Sequence, residues 1–157
     1  MKESENMKTD EMFMRQALAE AKKAQNKGEI PVGAVIVRDG RILSRGHNQP
    51  LRLNDPTAHA EVMAIRKATR KRKNYRLVDS DLYVTLEPCA MCLGAVVLAR
   101  IRSLVFGAED PKAGAVRSIM RFPFAKTNHR PEVRGGILAE ECGQILKDFF
   151  KAKRKKT

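Results

Sequence analysis

Apolar residues change their period along the chain. Phe13, Ala17, Leu18 and Ala21 recur every three to four residues, the spacing of one helix face. They predict a helix from about Asp10, a good N-cap, to about Lys27, where Gly28 stops it. Residues 32–37 form instead a β-rich run, Asp39-Gly40 is a hairpin turn signal, and residues 41–46 answer it, so an antiparallel pair follows. The stretch 48–57, broken by Pro50 and Pro56, is expected to be loop. A helix is predicted from near His59 through Val62, Met63 and Ile65, then a strand over 81–86. Pro88 is expected to open the next helix, which is apolar almost all round through Val96, Val97 and Leu98 and should be buried. Residues 101–106 read as a further strand, Val133 as the start of a short last one, and 138–151 as an amphipathic helix ending near Phe149-Phe150.

Strands alternating with helices predict a layered α/β domain, with helices on both faces of a sheet that the early hairpin makes mixed. A length of 157 residues suits one domain spanning 1–157, with flexible ends at 1–9 and 152–157. Hydrophobic residues make up 43% of the chain but no run approaches the roughly 20 apolar residues of a membrane span. The polar, acidic start Met1-Lys2-Glu3-Ser4-Glu5-Asn6 lacks the order of a secretory signal. A soluble, cytoplasmic protein with no membrane partner is expected.

Charge adds a candidate partner. Lys plus Arg number 31 against 18 Asp plus Glu, a formal charge of +13. Such a charge serves solubility in any protein, but here it is clustered. Arg66, Lys67, Arg70, Lys71, Arg72, Lys73 and Arg76 form one group; Lys151, Lys153, Arg154, Lys155 and Lys156 form another. Clusters of this kind are the footprint of nucleic-acid binding, or else a solvated face and a frayed tail.

Three cysteines are too few and too odd in number for a disulfide framework, and only Cys89 and Cys92 have ligand spacing. Cys142 reads as a small, partly buried hydrophobe, and His47 and His129 as structural or surface groups. A catalytic zinc site takes three nitrogen or sulfur ligands and leaves the fourth position to water; His59, Cys89 and Cys92 supply such a set. Residues two apart do not share a helix face, so His59 and Glu61 meet one site only beyond the N-terminal end of their helix. Cys89 and Cys92 are three apart, at a helix start that favours thiolate. Glu61 is then assigned to proton shuttling, because a fourth ligand would close the site. The alternative is a closed structural zinc knot completed by His47, His129 or Cys142.

The pair His59-Ala60-Glu61 and Pro88-Cys89-Ala90-Met91-Cys92 resembles the signature of zinc-dependent nucleobase deaminases. With Ile30-Pro31-Val32-Gly33-Ala34-Val35, Asp55-Pro56-Thr57-Ala58, Val84-Thr85-Leu86-Glu87 and the stretch from Asn128-His129-Arg130 to Phe150, the chain resembles the bacterial tRNA-specific adenosine deaminases over most of 10–152. Residues 119–126 and 151–154 depart from that pattern. The resemblance implies a three-layer α/β/α cytidine-deaminase-like fold, one Zn2+ per subunit and a homodimer. It implies conversion of adenosine to inosine at the wobble position of a tRNA anticodon, that of an arginine tRNA, with the anticodon stem-loop as partner. By position it makes His59, Cys89 and Cys92 the zinc ligands and Glu61 the proton shuttle. The Ala58 amide and the backbone near Glu87 would line the base pocket, with Asn48 contacting the nucleoside and Val32 packing on the base. Asp110 would contact the anticodon loop, and the Phe149-Phe150 helix would meet flanking bases. The rival readings are a deaminase of a free base such as guanine or cytosine, and a zinc-stabilised RNA-binding module without catalysis.

Overall fold

A computed structural model of the chain describes residues 2–155; Met1, Lys156 and Thr157, part of the ends expected to be flexible, lie outside the described residues. The elements run α1 (Lys2–Asn26), β1 (Gly33–Arg38), β2 (Arg41–His47), α2 (Pro50–Leu53), α3 (Ala60–Arg72), β3 (Ser80–Leu86), α4 (Ala90–Ala99), β4 (Ser103–Ala108), β5 (Glu132–Arg134) and α5 (Ala139–Lys155), with a 3-10 turn at Phe124–Lys126. Asp39 and Gly40 both take positive φ, 51° and 73°, the conformation of a two-residue hairpin turn. The strands form one sheet in the order β2-β1-β3-β4-β5. In it β1 is antiparallel to β2 and β3, whereas β3–β4 and β4–β5 are parallel.

The strand pleat sorts the core into two layers. On one face Ala34, Ile36, Leu82, Val84, Leu104 and Phe106 pack against Ala60, Ala64 and Ala68 of α3 and Leu93 and Val96 of α4. On the other, Val35, Val37, Tyr83 and Val105 pack against Phe13, Met14 and Ala17 of α1 and Cys142 of α5. The expected three layers and mixed sheet are therefore present. Small residues let α3 lie close to β2: a Cβ at Gly46 would stand 2.5 Å from the Ala60 carbonyl oxygen.

Four expectations need correction. First, α1 starts at Lys2, not near Asp10, since residues 2–9 contain no Gly or Pro and Glu3 and Glu5 suit the positive end of the helix dipole. Asp10 is not a cap. Its buried carboxylate accepts from the Tyr83 hydroxyl at 2.8 Å and from Arg134 Nε and Nη2 at 2.9 and 3.0 Å, tying α1 to β3 and β5. Second, 48–57 holds the one-turn helix α2. Pro50 occupies a first-turn position where no N–H is needed, and the buried Glu29 carboxylate accepts from the N–H of Leu51 and Arg52 at 3.2 and 2.8 Å. Third, Pro88 precedes α4 and Cys89 is its N-cap, while the apolar surface of α4 is not wholly buried: Leu98 is 75% exposed. Fourth, α5 continues past 151 to Lys155, its last turn rich in Lys and Arg that suit a helix C-terminus.

Candidate metal centre and substrate pocket

The carboxyl ends of the parallel strands β3 and β4 open at one edge of the sheet, the usual place for a ligand in an α/β layer. There the N-termini of α3 and α4 meet. His59 is the N-cap of α3 and Cys89 the N-cap of α4, both with extended backbone, and Cys92 lies in the first turn behind Cys89. His59 Nδ1 stands 3.6 Å from Cys89 Sγ and 3.5 Å from Cys92 Sγ. The three donor atoms lie within 4.8 Å of one another, and among the described residues they form the one such His/Cys/Asp/Glu group. A zinc ion with tetrahedral bond lengths and angles needs a nitrogen–sulfur separation of about 3.6 Å, so the donor set fits that ion.

The electrostatics follow from crowding. The Cys92 thiol beside it, and then the His59 imidazole, hold the Cys89 sulfur down at about 4 against the upward push of burial. Cys92 is driven up by the Cys89 sulfur and by burial. Cys89 also raises the pKa of His59 through their contact. Glu61, in the first turn of α3, is buried and faces the same pocket; burial lifts its carboxyl above the ordinary carboxylate range.

A cavity of about 590 Å³ opens from these groups, within the size of small-ligand sites. His59, Glu61 and Cys89 line it together with Val32, Asn48, Glu87 and Asp110, so most of the expected site residues converge. Asn48 accepts the Ala60 N–H on Oδ1 at 2.8 Å, which caps α3 and fixes the amide. Val32 is almost fully buried where it forms part of the wall. Asp110 folds its own loop, its Oδ1 accepting from the N–H of Lys112 and Ala113 at 3.0 and 3.3 Å. Ala58 is not brought to the pocket. It is fully buried, its N–H donates to the Asp55 carbonyl at 3.1 Å and its carbonyl accepts from Gln49 at 2.9 Å. Its amide is thus already engaged.

None of the three suggested fourth ligands joins the cluster. His47 is buried beside Glu20, where burial and then Lys27 lower its pKa. His129 pairs through Nε2 with the Ile101 carbonyl at 2.6 Å, and Cys142 is on the buried face of α5 with its thiol raised to about 12 by burial. The pocket also has walls that motif reading passed over, Lys112 in the loop after β4 and Gly143, Leu146 and Lys147 on α5, beside Phe150 of the expected helix and Arg154 of the second basic cluster. The α5 set recurs at three and four residues, so helical periodicity alone marks it as one face. Of the two adjacent phenylalanines Phe149 is buried in the packing and Phe150 is exposed at the pocket.

Comparison with known proteins finds relatives along nearly the whole chain. A family model described as MafB19-like deaminase matches residues 8–154. The tRNA-specific adenosine deaminase of Haemophilus influenzae is 54% identical, covering 92% of this chain and 85% of its own length. That of Bacillus subtilis is 48% identical, covering 96% of this chain and 94% of its own. A solved structure from studies of A-to-I editing by tRNA:A34 deaminases at the wobble position of transfer RNA is 49% identical with a TM-score of 0.83, covering 86% of this chain and 99% of that one. On the His/Cys/Cys donor cluster, the fold and this similarity along nearly the whole chain, the protein belongs to the family of tRNA-specific adenosine deaminases among the MafB19-like deaminases.

Proposed function

We propose that this chain, as one deaminase domain, holds one zinc ion through His59, Cys89 and Cys92. With it the protein hydrolyses adenosine to inosine and ammonia at the wobble position of a tRNA anticodon, that of an arginine tRNA, in the cytoplasm. The observation that carries the reading is the continuity of the pocket. Its floor holds the donor cluster and a buried carboxyl, and its mouth holds Phe150 and Lys147, so a base at the floor can remain attached to a polynucleotide passing the mouth. A free-base deaminase needs the floor alone. Phe150 offers a stacking surface for an unpaired neighbour, and Lys112 and Lys147 offer cations for phosphate.

Zinc, when bound, supplies an acidified water as the nucleophile near neutral pH. Glu61 does the proton work. It takes the proton of the attacking water and passes it to the adenine ring nitrogen N1. It then moves a further proton to the departing amino group, which leaves as ammonia. Its carboxyl is buried and lines the pocket beside the donor set, within reach of a base held there. Asn48, with Oδ1 committed to Ala60, has its amide N–H groups left to donate to the nucleoside. Val32 packs on the base and Asp110 meets the anticodon loop.

The homodimer belongs to the same proposal. No helix among the described residues is long and apolar enough to cross a membrane. The exposed apolar residues Met91 and Leu98 of α4, seven apart on one helix face, are therefore offered to another protein surface.

The zinc-loaded protein is expected to convert adenosine to inosine in an anticodon stem-loop RNA, read by nucleoside analysis of the digested product. Turnover of free guanine or cytosine with none of the RNA would sink this reading.

A further inference from the structure

Glu87 sits between the end of β3 and the Pro88-Cys89 turn, and it is the most heavily engaged side chain of the pocket. It is buried, yet both of its carboxylate oxygens are occupied. Oε2 accepts from the N–H of Val116, Arg117 and Ser118 at 3.0, 2.8 and 3.0 Å. Oε1 accepts from the Asp110 N–H at 3.1 Å and from the Ser118 hydroxyl. Removing a carboxylate from water is costly, and these five donors compensate it. Nothing in the proposed chemistry uses this carboxylate.

Its partners all belong to the loop after β4, gripped near Asp110 and again at 116–118. Between those grips lie Pro111, Lys112 and Ala113, which with Asp110 line the pocket. Gly114 packs directly on the carboxylate, where a Cβ would stand 2.4 Å from Glu87 Cδ. Ala115 adds a backbone tie, its N–H donating to the Pro88 carbonyl at 2.8 Å.

We infer that Glu87 is a positioning residue that clamps the substrate-facing loop 110–118 to the turn carrying Cys89. It thereby holds Asp110 and Lys112 in register with the metal centre without touching the substrate. A carboxylate is required because it meets five donors and has none of its own; the amide of a glutamine would turn an NH2 toward one set of N–H groups. The kinetic part of this inference rests on the proposed RNA reaction, whereas the clamp itself does not.

Glu87→Gln is expected to raise KM for the anticodon stem-loop by about tenfold or more, with kcat within about threefold of the parent and bound zinc unchanged. The amides of 116–118 should lose protection from hydrogen exchange in the same variant. Gly114→Ala keeps Glu87 but drives a methyl into its carboxylate, and should reproduce both effects if Glu87→Gln does not fold. An unchanged KM, or a fall in kcat or in bound zinc without a rise in KM, overturns the positioning role. Exchange is read without substrate, so a parent protein inactive on RNA would overturn the functional reading while retained protection of 116–118 would separately overturn the clamp.

Discussion

His59 and Glu61 reach one pocket although two positions apart, because His59 stands at the N-cap of α3 with extended backbone and Glu61 is already in the helix. In the proposed reaction that division separates holding a metal from moving a proton. Glu61→Gln is accordingly expected to keep the fold and the zinc but to lower kcat by roughly 10²–10⁴-fold, the worth of a placed general acid–base. Cys89→Ala removes a ligand and should lose zinc first, with activity following the metal content. Single-turnover rates beside metal analysis distinguish the two, and a Glu61→Gln protein with parental turnover would end the proton-shuttle assignment. The four motif residues were legible in the sequence because metal and proton chemistry restrict both residue type and spacing. Glu29 and Glu87 were not legible in these roles. All but one of their donors, the Ser118 hydroxyl, are main-chain N–H groups 22 to 31 residues away, which carry no side-chain signature. The Ala58 amide was misplaced for a related reason: which backbone N–H remains available depends on the turn around it, here closed by Asp55.

Among the elements, the period of the apolar pattern identified the strands and the long helices, while their ends were decided by contacts between distant segments. Asp10 looks like a cap in sequence but is drawn into the interior by Tyr83 and Arg134. Residues 50–53 look like loop until Glu29 satisfies their first-turn N–H groups. The α4 pattern, apolar almost all round, suggests burial on every side, yet the sheet and α3 cover only part of it. Leu98 stays 75% exposed, seven residues from the exposed Met91 on one face of the helix, and it is there that the proposed homodimer contact is placed. If α4 forms the proposed homodimer surface, Leu98→Asp should convert a dimeric parent into single chains, read by sedimentation at matched concentration. An exposed position costs the subunit little when changed, so the fold should persist by circular dichroism. A parent that sediments as one chain, or a Leu98→Asp protein that still pairs, would count against this surface.

Across the whole molecule the formal charge of +13 is unevenly useful. The α3 cluster reads in sequence as nucleic-acid binding, but the structure gives part of it another task and places all of it off the pocket wall. Lys67 Nζ donates to the Arg45 carbonyl at 3.0 Å and Lys71 Nζ to the Leu43 carbonyl at 3.4 Å, occupying carbonyls of β2, an edge strand of the sheet. At the pocket, Lys112 and Lys147 come from a loop and a helix far apart in sequence and form no cluster visible along the chain. Proximity to the reacting base, rather than cluster density, then decides which charges an RNA meets. The double change Lys112→Gln/Lys147→Gln should weaken stem-loop binding and reduce the slope of log affinity against log salt by about 1.4, two phosphate contacts at about 0.7 each for a single strand. Arg70→Gln/Lys73→Gln, at the far end of α3, removes the same formal charge and should leave that slope unchanged. Equal losses from the two pairs would mean that binding senses net charge alone, and the pocket mouth would lose its role as the RNA contact.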